Sequence, residues 1–126
     1  MKKKILLVED DVSISRLLKT LLEIEGFEVS TSDGDVKKVP EMLGQFQPDF
    51  LILDYHLKKY TGIDVLRLLK KGGSIPRPFI LVTSGEDRRE QCFQEGADGF
   101  LLKPYMPSEM IDWLREKELV IDQRKD

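Results

Sequence analysis

Short apolar runs alternate with amphipathic stretches five times along the chain. The run Phe50-Leu51-Ile52-Leu53, entered from Gln47-Pro48-Asp49 and closed by Asp54, has the length and composition of a strand buried on both faces. Residues 5–8, 79–82 and 100–102 read the same way, and the more polar 27–29 reads as an edge strand. Between the first two runs, Ile14, Leu17, Leu18, Leu21 and Leu22 recur at helical spacing, with Asp11 placed to cap the helix and Gly26 to end it. Residues 31–35 read as a loop, and a second helix over about 36–46 takes Pro40 in its first turn or kinks there. A third helix begins at Gly62 and runs to about Leu69, stopped by Gly72-Gly73; a polar fourth covers roughly 87–95. The last begins near Pro107 and turns Met110, Ile111 and Leu114 inward. Five alternations of strand and helix predict an α/β fold, a doubly wound parallel sheet with helices on both faces.

Composition narrows this picture. At 126 residues the chain suits one domain, and 40% apolar with 8% aromatic residues argues against disorder. We place the domain at 1–118, with 119–126 a short tail or the start of a linker. A net charge of −3 and a pI near 5.3 offer no basic face for direct contact with nucleic acid. A single cysteine cannot close an internal disulfide, which points to a reducing compartment. The apolar run behind the leading lysines is too short for a signal peptide or a membrane span. The expectation is a cytoplasmic protein without membrane insertion.

The chemistry lies where the strands end. In a parallel sheet all carboxyl ends share one rim, so Glu9, Asp10, Asp54, Thr83 and Lys103 converge there. Three gathered carboxylates repel one another, and a divalent cation relieves that repulsion. An all-oxygen set without a His/Cys cluster favours Mg²⁺. Lys103 and the Thr83 hydroxyl suit phosphate oxygens. The set fits phosphoryl transfer to a carboxylate, with Asp54 as nucleophile. Taken singly, Asp54 reads as a turn residue, Thr83 as a helix cap and Lys103 as a surface charge, and their convergence outweighs those readings; Phe100, outside that convergence, reads as core. Asp11 stays a cap, Cys92 a packing residue, His56 a loop residue, and Trp113 core or interface.

Val8-Glu9-Asp10-Asp11, Leu53-Asp54, Gly62 eight residues on, Val82-Thr83-Ser84 and the run from Gly96-Ala97-Asp98-Gly99 through Lys103-Pro104 stand in order over nearly the whole chain. In this the chain resembles the response-regulator receiver domains of two-component signalling. The resemblance implies a flavodoxin-like sheet in the order 2-1-3-4-5 with five helices. It implies that Asp54 accepts a phosphoryl group from a sensor histidine kinase, a phosphotransfer protein or a small donor. Asp10 and Asp54 would ligate Mg²⁺ (or Mn²⁺ in its place), with Glu9 acting through water and His56 through its backbone carbonyl. Lys103, before a cis peptide to Pro104, would pair with the phosphoryl group. Thr83 would turn toward it and Phe100 would rotate inward, altering a face of the fourth helix, fifth strand and fifth helix. That face would be read by an effector protein or domain, or by a second copy in a phosphorylation-dependent homodimer. Beyond its own phosphorylation and hydrolysis, such a domain is not an enzyme.

Three positions depart from the family pattern. Lys58 stands where proline is common, Ser84 where a small alanine is common and would put an extra hydroxyl near the phosphate, and His56 lies beside the site. The expectation is that His56 and Lys58 tune how long Asp54 stays phosphorylated. Other functions fit less well. An aspartate-nucleophile phosphatase wants a second aspartate at position 56, where His56 stands. A flavin site wants a Ser/Thr/Gly-rich first loop, where Glu9-Asp10-Asp11 would repel phosphate. An unphosphorylated pseudo-receiver, acting as a constitutive adapter, is the remaining alternative.

Overall fold

The computed structural model describes residues 2–72 and 77–124. Its strands are β1 (Lys4–Val8), β2 (Glu28–Ser32), β3 (Phe50–Asp54), β4 (Phe79–Ser84) and β5 (Gly99–Leu102). The helices are α1 (Val12–Ile24), α2 (Val39–Phe46), α3 (Gly62–Gly72), α4 (Arg89–Gln94) and α5 (Pro107–Arg124). All pairings are parallel, and the order is β2-β1-β3-β4-β5, as the resemblance implied.

Side chains alternate across the sheet and sort the core into two layers. Leu6, Val8, Leu51, Leu53, Ile80 and Val82 meet α2, α3 and α4 through Val39, Leu43, Val65, Leu66 and Cys92. Ile5, Leu7, Phe50, Ile52 and Leu81 meet α1 and α5 through Leu22, Met110 and Leu114. Every residue of β3 is buried, so the central strand is sheathed on both faces up to its last residue, Asp54.

Several expectations shift. Strand β2 runs on to Ser32, because all five of its residues pair with β1, from Lys4↔Glu28 to Val8↔Ser32. Part of the expected loop at 31–35 is therefore strand. A 3₁₀ turn over Val36–Lys38 precedes α2, and Pro40 takes the first turn, where its missing N–H costs nothing. Helix α1 turns only part of its expected apolar face inward, with Leu18, Leu21 and Leu22 on the core side. Ser15 and Leu22 are buried, whereas Ile14 is 41% and Leu17 60% exposed. Asp11 caps the helix as expected, accepting from the Ile14 N–H at 3.0 Å. Helix α4 is shorter than expected, and Ile111 of α5 is only half-buried. Helix α3 stops at Gly72; Gly73, the second half of the expected stop, lies outside the described residues.

The segment from residue 119 continues α5 to Arg124. Ile121 packs on the α1/α5 core layer, Asp122 lies 2.8 Å from Lys3 Nζ, and the Arg124 guanidinium sits 5.0 Å from the Phe79 ring centre. Among the described residues no helix is long and apolar enough to cross a membrane.

Trp113 of α5 lies directly over Gly99, the first residue of β5. A Cβ at Gly99 would stand 2.6 Å from the indole Cε2, nearer than real Cβ atoms approach. Gly99→Ala must displace the indole, which also packs edge-on against Phe50 at 6.2 Å. We expect a loss of about 1–3 kcal/mol of stability, read from urea unfolding with an unchanged slope.

Candidate functional site

The rim forms because β1, β3, β4 and β5 end side by side. Asp54 closes β3 opposite Thr83 of β4, and Ser84 pairs with Leu102, the residue before Lys103. Glu9 and Asp10 follow β1, with the Glu9 N–H donating to the Ser32 carbonyl at 3.3 Å. The backbone beyond Asp54 is fixed twice, by Tyr55 N–H to the Thr83 carbonyl at 2.8 Å and by Gly62 N–H to the Tyr55 carbonyl at 2.7 Å. Gly62 allows this close approach, since a Cβ there would meet Tyr55 Cα at 3.2 Å. Gly34, at φ +92°, closes the other side against Asp10 and Leu57.

Glu9, Asp10 and Asp54 each bring a carboxylate oxygen to within 4.8 Å of the others. Lys103 Nζ donates to Asp54 Oδ1 at 3.0 Å, and the Lys103–Pro104 peptide is cis. Asp54 is 8% exposed and Glu9 only 5%. Glu9 Oε2 is buried without a hydrogen-bond partner. Burial first, and then the neighbouring Asp54 and Asp10 carboxylates, push the Glu9 carboxyl up to about 8 against the opposing pull of Lys103. Tyr105, half-buried near the same acids, is pushed up to about 12, first by burial and then by the charges of Glu9 and Asp54. An acidic cluster of this kind can hold a metal ion, and Lys103 offers a fixed cation to an anionic group brought to Asp54.

Of the residues singled out in the sequence, the structure brings Glu9, Asp10, Asp54, Thr83 and Lys103 to the rim. His56 stands on the loop after β3, exposed, with its Nε2 3.2 Å from Glu86 Oε1. Phe100 is elsewhere: its ring is buried on the α4 side, with the Arg89 guanidinium 5.4 Å from its centre. Ser84 is fully buried at the end of β4. Its Oγ accepts the Glu86 N–H at 3.0 Å, forming a turn that shapes the loop after β4. Tyr105 and Glu86 were not anticipated. Extending the strand-end reasoning two residues past Lys103 and three past Thr83 would have reached Tyr105 and Glu86.

A parallel β2-β1-β3-β4-β5 sheet with an acidic cluster and a lysine at the carboxyl ends defines a receiver-type α/β domain. The family model for the response regulator receiver domain matches residues 5–115, and the chain belongs to that family. The DNA-binding response regulator MtrA of Mycobacterium tuberculosis is 30% identical over 119 residues, covering 93% of this chain and 51% of MtrA. The transcriptional regulatory protein CpxR homolog of Haemophilus influenzae is 35% identical over 109 residues, covering 86% of this chain and 47% of its own. The chain thus spans about half the length of the curated relatives it matches. The crystal structure of a response regulator signal receiver domain from Bermanella marisrubri superposes with a TM-score of 0.84 at 30% identity, covering 92% of this chain and 98% of that one.

With the cation absent, Glu9 retains a proton that the unfolded chain gives up near 4.5. Stability then falls as pH rises from about 4.5 to 8, because over that window the folded state binds the extra proton. Glu9→Gln removes this loss. In EDTA it should raise Tm on the order of a few °C at pH 8 and clearly less at pH 5, read by calorimetry at both.

Proposed function

We propose that this chain is a phosphorylation-dependent signalling switch in which Asp54 accepts a phosphoryl group. The observation that carries the reading is the Asp54 carboxylate at the end of a wholly buried strand, 3.0 Å from Lys103 Nζ and grouped with Glu9 and Asp10. The residues fit Mg²⁺, or Mn²⁺ in its place: the donors are all oxygen, and the buried, unpartnered Glu9 Oε2 wants a positive partner. Asp10 and Asp54 would hold the ion directly, Glu9 through water, and the His56 backbone carbonyl would complete the set. When bound, the ion supplies charge neutralisation for phosphoryl transfer.

The chain's own groups do the rest. A carboxylate oxygen of Asp54 forms a bond to phosphorus as the bond from phosphorus to the donor's nitrogen or acyl oxygen breaks. The donor leaves with that electron pair, and Lys103 follows the charge onto the phosphoryl group. The Thr83 hydroxyl, opposite Asp54 in register, lies one strand away and is placed to turn toward it. The donor is the phosphohistidine of a sensor kinase or phosphotransfer protein, or a small acyl phosphate. Phe100 starts already inward, 9% exposed beneath Arg89. In this reading its switching role is to hold that position once Thr83 turns, rather than to enter it. The altered α4–β5–α5 face is then read by an effector protein or domain, or by a second copy of the chain. The relatives named as DNA-binding regulators fit an effector domain in the same polypeptide. The domain turns over no substrate other than its own aspartyl phosphate and works in the cytoplasm.

Intact mass after incubation with acetyl phosphate tests this. We expect a gain of one phosphoryl group that requires Mg²⁺ and is lost in Asp54→Asn. Lys103→Ala should slow the gain by about 10²-fold, as loss of one prearranged donor to a developing charge does. No gain with any donor or metal would favour the constitutive adapter instead.

A further inference from the structure

A small cavity lies against the acidic cluster, on the side of the sheet that carries α1. Its volume is about 10 Å³, and apolar side chains of β1, β3 and α1 form much of its wall. Five polar residues reach it: Glu9, Asp54, Thr83, Lys103 and Tyr105. A space of this size takes one water molecule, provided that about two to four polar groups receive it. Glu9 is 5% exposed, and its Oε2 is buried without a hydrogen-bond partner. A buried carboxylate oxygen is costly to leave in that state, and a donor removes the cost. The two oxygens of a carboxylate accept about four hydrogen bonds between them. Glu9 can therefore accept from the cavity and still face a cation's water with the remainder.

The donor has to come from the cavity wall. Lys103 Nζ is already engaged by Asp54 Oδ1 at 3.0 Å, and Thr83 is placed to turn toward a phosphoryl group. Tyr105 is left. Its ring packs against the α1/α5 core layer, which fixes where its hydroxyl can stand. The hydroxyl feels the charges of both Glu9 and Asp54, and with burial they push it up to about 12, so it keeps its proton to give.

We propose that Tyr105 is a positioning residue for the cation site: its hydroxyl anchors one buried water in this cavity, and that water donates to Glu9 and fixes the orientation of the carboxylate. The proposal rests on Glu9, Asp10 and Asp54 being the cation site of the switch. Tyr105 touches neither the ion nor the phosphoryl group. Its O–H donates to the water oxygen, and the water donates one hydrogen to Glu9. A phenylalanine at 105 keeps the packing and removes the anchor, so the carboxylate loses its support from behind.

The test titrates the full chain with Mn²⁺ and reads the free ion by its electron paramagnetic resonance. Tyr105→Phe should weaken binding about three- to ten-fold, somewhat less than for a partner bonded directly to a metal ligand, because a water intervenes. Its Tm in EDTA should stay close to that of the unaltered chain. Tyr105→Leu, which also removes the ring, should lower Tm and add little to the loss of affinity. A crystal structure with ordered solvent should show one water joining the Tyr105 hydroxyl to Glu9. Unchanged affinity in Tyr105→Phe, whether or not Tyr105→Leu binds more weakly, or a cavity without that water, would overturn the role of Tyr105 and leave the cation site standing. An unaltered chain that binds neither Mn²⁺ nor Mg²⁺ overturns the cation site and this role with it.

Discussion

The central strand imposes the constraint on which the rest depends. Phe50 to Asp54 is buried along its whole length, with neighbours β1 and β4 in register and helices over both faces. An apolar strand held on four sides has no freedom to slip, because a one-residue shift would turn each side chain to the other face. Asp54 is therefore delivered to one place on the rim and held there, 8% exposed. The neighbouring strand ends follow from the same parallel register, which is why Glu9, Asp10, Thr83 and Lys103 surround it without any loop needing to reach in.

That placement creates an electrostatic problem, and the problem is the functional asset. Three carboxylates with oxygens within 4.8 Å, two of them almost fully buried, cannot all carry charge cheaply. Lys103 offsets part of the cost at Asp54, and the raised Glu9 carboxyl takes up part by keeping a proton. What remains is a site that favours an added positive charge.

The parallel sheet, its two layers and the membership of the rim were legible because they depend on patterns with long-range consequences, whereas the strand order came from the family resemblance alone. Apolar runs of strand length separated by helical stretches permit a parallel sheet, and a parallel sheet forces strand ends together. The seating of α1 was not legible. Its apolar residues cover too wide an arc to define one inward face, and the side turned inward is the one that carries Ser15 and Leu22. Ser30, Thr31 and Ser32 carry no apolar signal, so the length of edge strand β2 shows only in its pairing with β1. The part played by Ser84 depends on a turn two residues long, and the contact between His56 and Glu86 on the meeting of two separate loops. Contacts of that kind leave no periodicity to read.

The most direct test of the account is to locate the acceptor chemically. Borohydride reduces an acyl phosphate to a primary alcohol and leaves free carboxylates and phosphate esters alone, so reduction followed by peptide mapping marks the phosphorylated side chain. The account predicts that position 54 is reduced and that no other acidic residue is. An intact Asp54 in a chain that carries phosphate, with reduction at Glu9 or Asp10 or at no residue at all, would contradict it.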